Sequence, residues 1–447
     1  MLLVFVDKIT NRLGYTLNLI FKDILGVDYR ITTHKEDFLK HEGAKFSYSK
    51  RKIGDEPFLY STDFLFETVI EIKELNLFNY NGNPALFRTY SKKSIFPFDL
   101  LASSFYFVSR YEEYLPFIQD KQGRFRYEES LAFKNCFLHK PVVNIWANLL
   151  GEKLKEAYPE IEFSKHYFRY YNTIDVDSAY SFKEKGLARK VFGFFRDFIK
   201  GDFSECLFRL KVLFGKKTDP YDTFNYQISL LKKYKLKTIY FILFGHYGKY
   251  DKNISPTNRR FQRLIKFLCD YAKVGIHPSY SSFDDEEELT TQIKDLVSVI
   301  HKPVLRSRFH YLKFVLPVSY RRLLDNMISD DYSMGYSNAI GFRAGICSGF
   351  NFYDLEFDTE TKLRIHPFAV MDVALKNGLG LNPNEAIERI KKIVDEIIAV
   401  DGDFISVWHN ESLCERYKWK GWREVYENML EYVSTIDRTP FEKEFGT

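Results

Sequence analysis

The sequence predicts an α/β protein: a parallel sheet, open or closed into a barrel, preceded by a mixed α/β domain. Three observations carry this. From about residue 166 onward, short apolar runs alternate with helical patterns several times over. The chain has 447 residues, too many for one ordinary domain and comfortable for two. Carboxylates and histidines recur at the ends of the apolar runs, where parallel sheets carry their chemistry.

Residues 1 to about 165 supply the mixed domain. Asn11 to Leu25 has a helical apolar period, Phe58-Leu-Tyr-Ser and Thr68-Val-Ile-Glu-Ile carry strand signals, and Pro97 to Tyr114 reads as an aromatic-rich amphipathic helix. Arg110, Glu112 and Glu113 fit a solvated helix face with local ion pairs. In residues 166–447, strands are expected at Phe168–Ile174, Thr238–Phe244, Val274–Ile276, Val304–Phe309, Ala339–Arg343 and Phe404–Trp408. Helical patterns fall between them at Tyr221–Lys235, Asn258–Lys273, Asp285–His301, Tyr320–Ser329, Asn384–Val400 and Trp422–Tyr432.

Composition narrows the function classes. With 43 Phe and 31 Tyr there is ample material for large cores, and low-complexity disorder is excluded. A net charge of +5 gives no nucleic-acid signature. Cys136, Cys206, Cys269, Cys347 and Cys414 are scattered, odd in number and free of C-x-x-C spacing. That argues against a disulfide framework or thiolate zinc site and suits a reducing compartment. The apolar run in Met1-Leu-Leu-Val-Phe-Val is too short for a signal peptide, and no uncharged run reaches a membrane span. A cytoplasmic protein, at most peripheral to the inner membrane, is the expectation.

The most telling segment is Tyr170-Tyr-Asn-Thr-Ile-Asp-Val-Asp177. Side chains two apart on a strand share a face, so Asp175 and Asp177 emerge side by side at a strand end. One carboxylate can hold a cation while its neighbour accepts a proton from water. The other expected strand ends carry His246, His277, His310, Arg343 and His409, four of the ten histidines in the chain. A convergent site accounts for that clustering better than chance placement. A strand-end cap for the aspartates and a buried, hydrogen-bonded role for the histidines are the plain alternatives.

Seven segments then line up. They are Thr173-Ile-Asp-Val-Asp-Ser-Ala-Tyr, Val274-Gly-Ile-His-Pro-Ser-Tyr, Arg306-Ser-Arg-Phe-His-Tyr-Leu, Asp331-Tyr-Ser-Met-Gly-Tyr, Gly341-Phe-Arg-Ala-Gly, His366-Pro-Phe-Ala-Val-Met-Asp and Val407-Trp-His-Asn-Glu-Ser. In that order, over about 170 to 415, they resemble the polysaccharide deacetylase family of NodB-type carbohydrate esterases, and more closely a divergent branch from Bacteroidetes-type bacteria. Ser109-Arg-Tyr-Glu-Glu-Tyr and Gly123-Arg-Phe resemble an uncharacterised domain that precedes such deacetylases. The resemblance implies a distorted (β/α) barrel, a divalent metal with zinc foremost, and removal of an acetyl group from an N-acetylated amino sugar or surface-polysaccharide precursor. It implies Asp175 as base, Asp177 and His277 as metal ligands, and His409 as the acid protonating the departing amine.

One departure matters: the second histidine of the family's H-x-x-x-H motif falls on Ser281, a poor zinc ligand. Catalytic zinc usually has three protein ligands. His310 is the expected replacement and His366 the second choice. Arg343 is expected either to orient Asp175 or bind a substrate oxygen, or else to form a structural ion pair. Asp372 is a candidate for ordering a histidine, and Asp330 and Asp331 for a cap or turn. If the metal is lost, the chain would be a degenerate glycan-binding barrel or a scaffold of polysaccharide assembly. Between the first strand and helix of this domain, residues 178–220 hold ten Lys/Arg against five Asp/Glu, interleaved with Phe192, Phe194, Phe195, Phe198, Phe203, Phe208 and Phe214. Such a segment suits contact with an anionic membrane surface, or a lid packed on the barrel.

Overall fold

The computed structural model describes residues 1–164 and 166–436, so residues 437–447 of the expected second domain lie outside the described residues. The N-terminal part is built on a parallel sheet of β1 (Leu2–Val6), β2 (Tyr29–Thr32), β3 (Lys45–Ser49) and β4 (Phe58–Tyr60), in the order β2-β1-β3-β4. All five residues of β1 are buried, so the apolar N-terminal run is a central strand covered on both faces. A short hairpin, β5 (Phe78–Tyr80) and β6 (Asn83–Ala85), follows.

Two N-terminal expectations are corrected. Residues 68–72 form no strand: Val69 and Ile72 are exposed, and the backbone there is held by the Tyr111 hydroxyl. The aromatic helix is confined to Leu100–Val108, with Asp99 accepting from the Ala102 N–H to cap it. It has no solvated face, every residue being buried. The chain leaves it through Arg110, which has φ 54° and is itself buried with Glu112 and Glu113.

The C-terminal part is a nine-stranded sheet of β7 (Arg169–Val176), β8 (Lys237–Ile242), β9 (Lys273–Ile276), β10 (Arg306–Ser307), β11 (Asp330–Asp331), β12 (Phe350–Asp354), β13 (Thr359–Ile365), β14 (Val370–Met371) and β15 (Asp403–His409). The order is β12-β13-β11-β10-β9-β8-β7-β15-β14, parallel throughout except for β12 against β13. The hydrogen-bonded ladder is therefore open. β13, next to the edge strand β12, nonetheless runs into β14 at the opposite edge through residues 366–369, where His366 N–H donates to Asp331 and Ala369 N–H to Ile405.

The expected strand at Ala339–Arg343 is a loop instead. Gly341 explains it: φ is +121°, and a Cβ there would lie 2.3 Å from the Leu138 carbonyl oxygen. The backbone is pressed against the N-terminal part rather than extended in the sheet. One continuous apolar core runs through both parts, with Tyr15 and Phe105 each 5.0 Å from Tyr353 between ring centroids.

Candidate metal centre

Registry places the carboxylates. β7 lies centrally, Asp175 paired with His409 of β15 on one side and Phe241 of β8 on the other. Asp177 follows the last residue of β7, His277 the last of β9, and His310 stands three residues beyond β10. The carboxyl ends of β7, β9 and β10 thus deliver all three side chains to one place.

There, one ligand atom from each of Asp177, His277 and His310 lies within 4.8 Å of the others. Asp177 Oδ1 is 3.3 Å from His277 Nε2, and Oδ2 is 3.4 Å from His310 Nε2. His277 Nδ1 faces the Arg308 carbonyl oxygen, so Nδ1–H donates there and Nε2 is the ring atom turned to Asp177. Asp177 Oδ1 is buried and accepts no hydrogen bond among the described residues. A carboxylate oxygen and an imidazole nitrogen facing each other at this distance can share a cation. One carboxylate and two imidazoles also match the three-ligand pattern of catalytic zinc, so the donor set fits a divalent ion.

His310 is held by a residue that sequence reasoning missed. Its Nδ1 is 2.8 Å from Asp251 Oδ1, and Asp251 also accepts from the Tyr280 N–H. Burial pushes the His310 pKa down, but Asp177 and Asp251 overcome it and hold the ring up at about 9. For Asp177, burial raises the pKa and the charges of His310 and His409 outweigh it, leaving it well below the usual carboxylate range. Without a metal, a proton on His310 supplies the positive charge that this pair of carboxylates demands. Ser281 is not among the three donors: its hydroxyl donates to Glu288 at 2.7 Å, and its N–H reaches Asp251 at 3.3 Å.

Asp175, also buried, receives a 2.8 Å hydrogen bond from Arg308 Nη1 on Oδ1, leaving Oδ2 3.9 Å from His277 Nε2. Across the cleft, His409 Nδ1 is 2.8 Å from Asp372 Oδ1, and Asp372 Oδ2 accepts the His409 N–H. His409 Nε2 points inward, 3.9 Å from Asp177 Oδ2. Burial lowers the His409 pKa, but Asp372 and then Asp177 raise it well above the ordinary histidine value.

Three expected residues lie elsewhere. Arg343 makes a bidentate ion pair with Glu113, at 2.8 and 2.6 Å, and donates to the Gly335 carbonyl; Asp175 takes Arg308 instead. His366 bonds Asp330 at 2.7 Å and stacks on Tyr332, away from the three donors. Asp331 is buried among Ser307 and Ser333, which donate to it, and burial raises its pKa. The exposed His246 also contributes nothing to the centre.

Beside His310, the rings of Tyr311, Tyr280 and Tyr250 make an aromatic cluster, with Tyr250 and Tyr280 4.1 Å apart and Tyr311 4.6 Å from the His310 ring. Tyr311 has φ 58°, and its carbonyl oxygen accepts from Arg124 of the N-terminal part.

Residues 2–159 match a family of unknown function (DUF7033). No curated protein matches the chain. Among solved structures, the chain is similar to a Mycobacterium smegmatis protein described as a polysaccharide deacetylase, at 14% identity and TM-score 0.41, over 62% of this chain and 87% of that one. It is also similar to the PuuE allantoinase, at 9% identity and TM-score 0.40, over 62% of this chain and 88% of the other. Both likenesses are distant, and the chemistry rests on the site's own geometry.

Proposed function

We propose that this protein is a metal-dependent hydrolase that removes the acetyl group from an N-acetylated amino sugar or surface-polysaccharide precursor. The observation that carries the reading is the convergence of Asp177, His277 and His310 beside two differently prepared acid–base groups, Asp175 and His409. Asp177, His277 and His310 would hold a divalent ion, preferably zinc. Such an ion supplies Lewis-acid polarisation of a carbonyl and lowers the pKa of water at the site.

The chain's own groups divide the proton traffic. Asp175 is an acceptor, its Oδ1 fixed by Arg308 and its Oδ2 free to take a proton from attacking water. His409 is a donor, its Nδ1–H held by Asp372 and its Nε2–H aimed into the cleft for the departing amine. The Asp372 carboxylate, followed by Asp177, favours the charged form of that ring against its burial. The tilted and edge-to-face tyrosines beside His310, with Tyr311 exposed, offer aromatic surface of the kind that a sugar ring packs against, which supports a carbohydrate substrate.

Acetate release from N-acetylglucosamine oligomers tests the reading. Release should stop after chelation, return with added zinc, and fall about 100-fold or more in His409→Gln. Release that is indifferent to chelator would overturn it.

A further inference from the structure

The segment 178–220 folds as two helices, Leu187–Ile199 and Phe203–Leu213, that stand on the body by one side only. That side is locked. Arg209 pairs with Asp197 across the two helices, packs its guanidinium 4.3 Å from the Phe182 ring, and sits where a Cβ on Gly193 would clash at 2.7 Å. Glu205 is tied to Arg416 at 2.9 Å, and Arg189 donates to the Asn253 carbonyl.

The other side is apolar and bare. Phe192, Phe195, Ile199, Phe203 and Phe214 are between 56% and 81% exposed, and Leu207 is 54% exposed. Within the first helix the spacing 192, 195, 199 is that of a single helical face, and the edge-to-face contact of Phe198 and Phe203 carries it across the turn to the second. A contiguous apolar surface of this kind on a soluble fold marks something that covers it.

Charge decides what covers it. Lys200, Lys211, Lys216 and Lys217 are exposed around this face; of the hairpin's acids, Asp197 and Glu205 are engaged by Arg209 and Arg416, and the exposed Asp202 caps the second helix, so the lysines outnumber the outward acid four to one. A second copy would bring these lysines against their own kind. An anionic lipid surface meets both properties at once, taking phenylalanines into its headgroup boundary and lysines against its phosphates. Among the described residues no helix is long and apolar enough to cross a membrane, so the hairpin would lie on the surface.

We infer that the helical hairpin of residues 187–214 docks this protein onto an anionic membrane surface through Phe192, Phe195, Ile199, Phe203 and Phe214. The inference is independent of the metal chemistry. Co-sedimentation of the full chain with phosphatidylcholine vesicles, with and without about one-third phosphatidylglycerol, tests it. Binding to the anionic vesicles is expected, weakened by salt, and reduced at least tenfold in Phe195→Ser/Phe203→Ser and in Lys200→Glu/Lys211→Glu. Zinc stoichiometry and the unfolding midpoint should match wild type in both variants. If the phenylalanine variant misfolds, the lysine variant carries the test alone. No vesicle binding, equal binding to neutral vesicles, or binding that survives both double substitutions would overturn the inference. So would a dimer, abolished by Phe195→Ser/Phe203→Ser, in a protein that ignores vesicles.

Discussion

Arg308 holds both halves of the centre at once: its guanidinium fixes Asp175 and its carbonyl oxygen fixes His277. It is fully buried, and Nη2 has no hydrogen-bond partner among the described residues. Arg308→Met would leave the Asp175 charge buried and unpaired, a change expected to cost roughly 3–5 kcal/mol by denaturant unfolding. Asp175→Asn keeps the donors of Asp177, His277 and His310 intact. It should retain bound metal while lowering turnover about 100-fold; metal loss equal to that of Asp177→Asn would make Asp175 a ligand instead. Asp251→Asn removes the carboxylate that orients His310 and should weaken metal binding about 10- to 100-fold by competitive chelator titration.

Protonation gives the residue scale a pH signature. In the metal-free protein His310 is raised from 6.5 to about 9. A raised histidine pKa stabilises the fold fully below the unfolded value, and that contribution is lost as pH rises through the folded one. The metal-free unfolding midpoint should therefore decline between about pH 6.5 and 9. A metal must displace the same proton, so its affinity should rise about tenfold per pH unit up to about pH 9. An affinity flat over that window would remove His310 from the ligand set.

At the scale of elements, legibility followed local pattern. The aspartates at the end of β7 and the apolar runs of β8, β9 and β15 are readable because strands buried on both faces leave continuous apolar runs in sequence. β10 falls inside the strand expected at Val304–Phe309, whereas the two-residue strands β11 and β14 leave no such mark and are positioned by pairing with their neighbours. Arg308, two residues before His310, takes the orienting role considered for Arg343, and of the readings open for Arg343 the structural ion pair is the one found. The partner of Arg343, Glu113, is 230 positions away, and nothing local announces that pair. Asp251 was invisible for the same reason, lying in an irregular loop that meets His310 only in the folded chain. Arg110, Glu112, Glu113 and Arg343 form one buried ionic cluster where a solvated face was expected. Glu113→Gln should therefore destabilise by about 3–5 kcal/mol, far above the fraction of a kcal/mol of a surface pair.

For the whole molecule, the two parts share one apolar core and are tied by buried ion pairs. Besides Arg343–Glu113, Arg12 reaches Asp358 at 3.0 Å, and Arg124 holds the Tyr311 carbonyl beside His310. The N-terminal part therefore supports the wall of the site, and the central claim concerns what that site holds. Metal content of the full chain purified without chelator, measured in wild type and in His310→Ala, tests it most directly. About one divalent ion per chain in wild type and loss of most of it in His310→Ala is the predicted result. An absence of ion after incubation with zinc, or equal ion content in both proteins, would contradict the account.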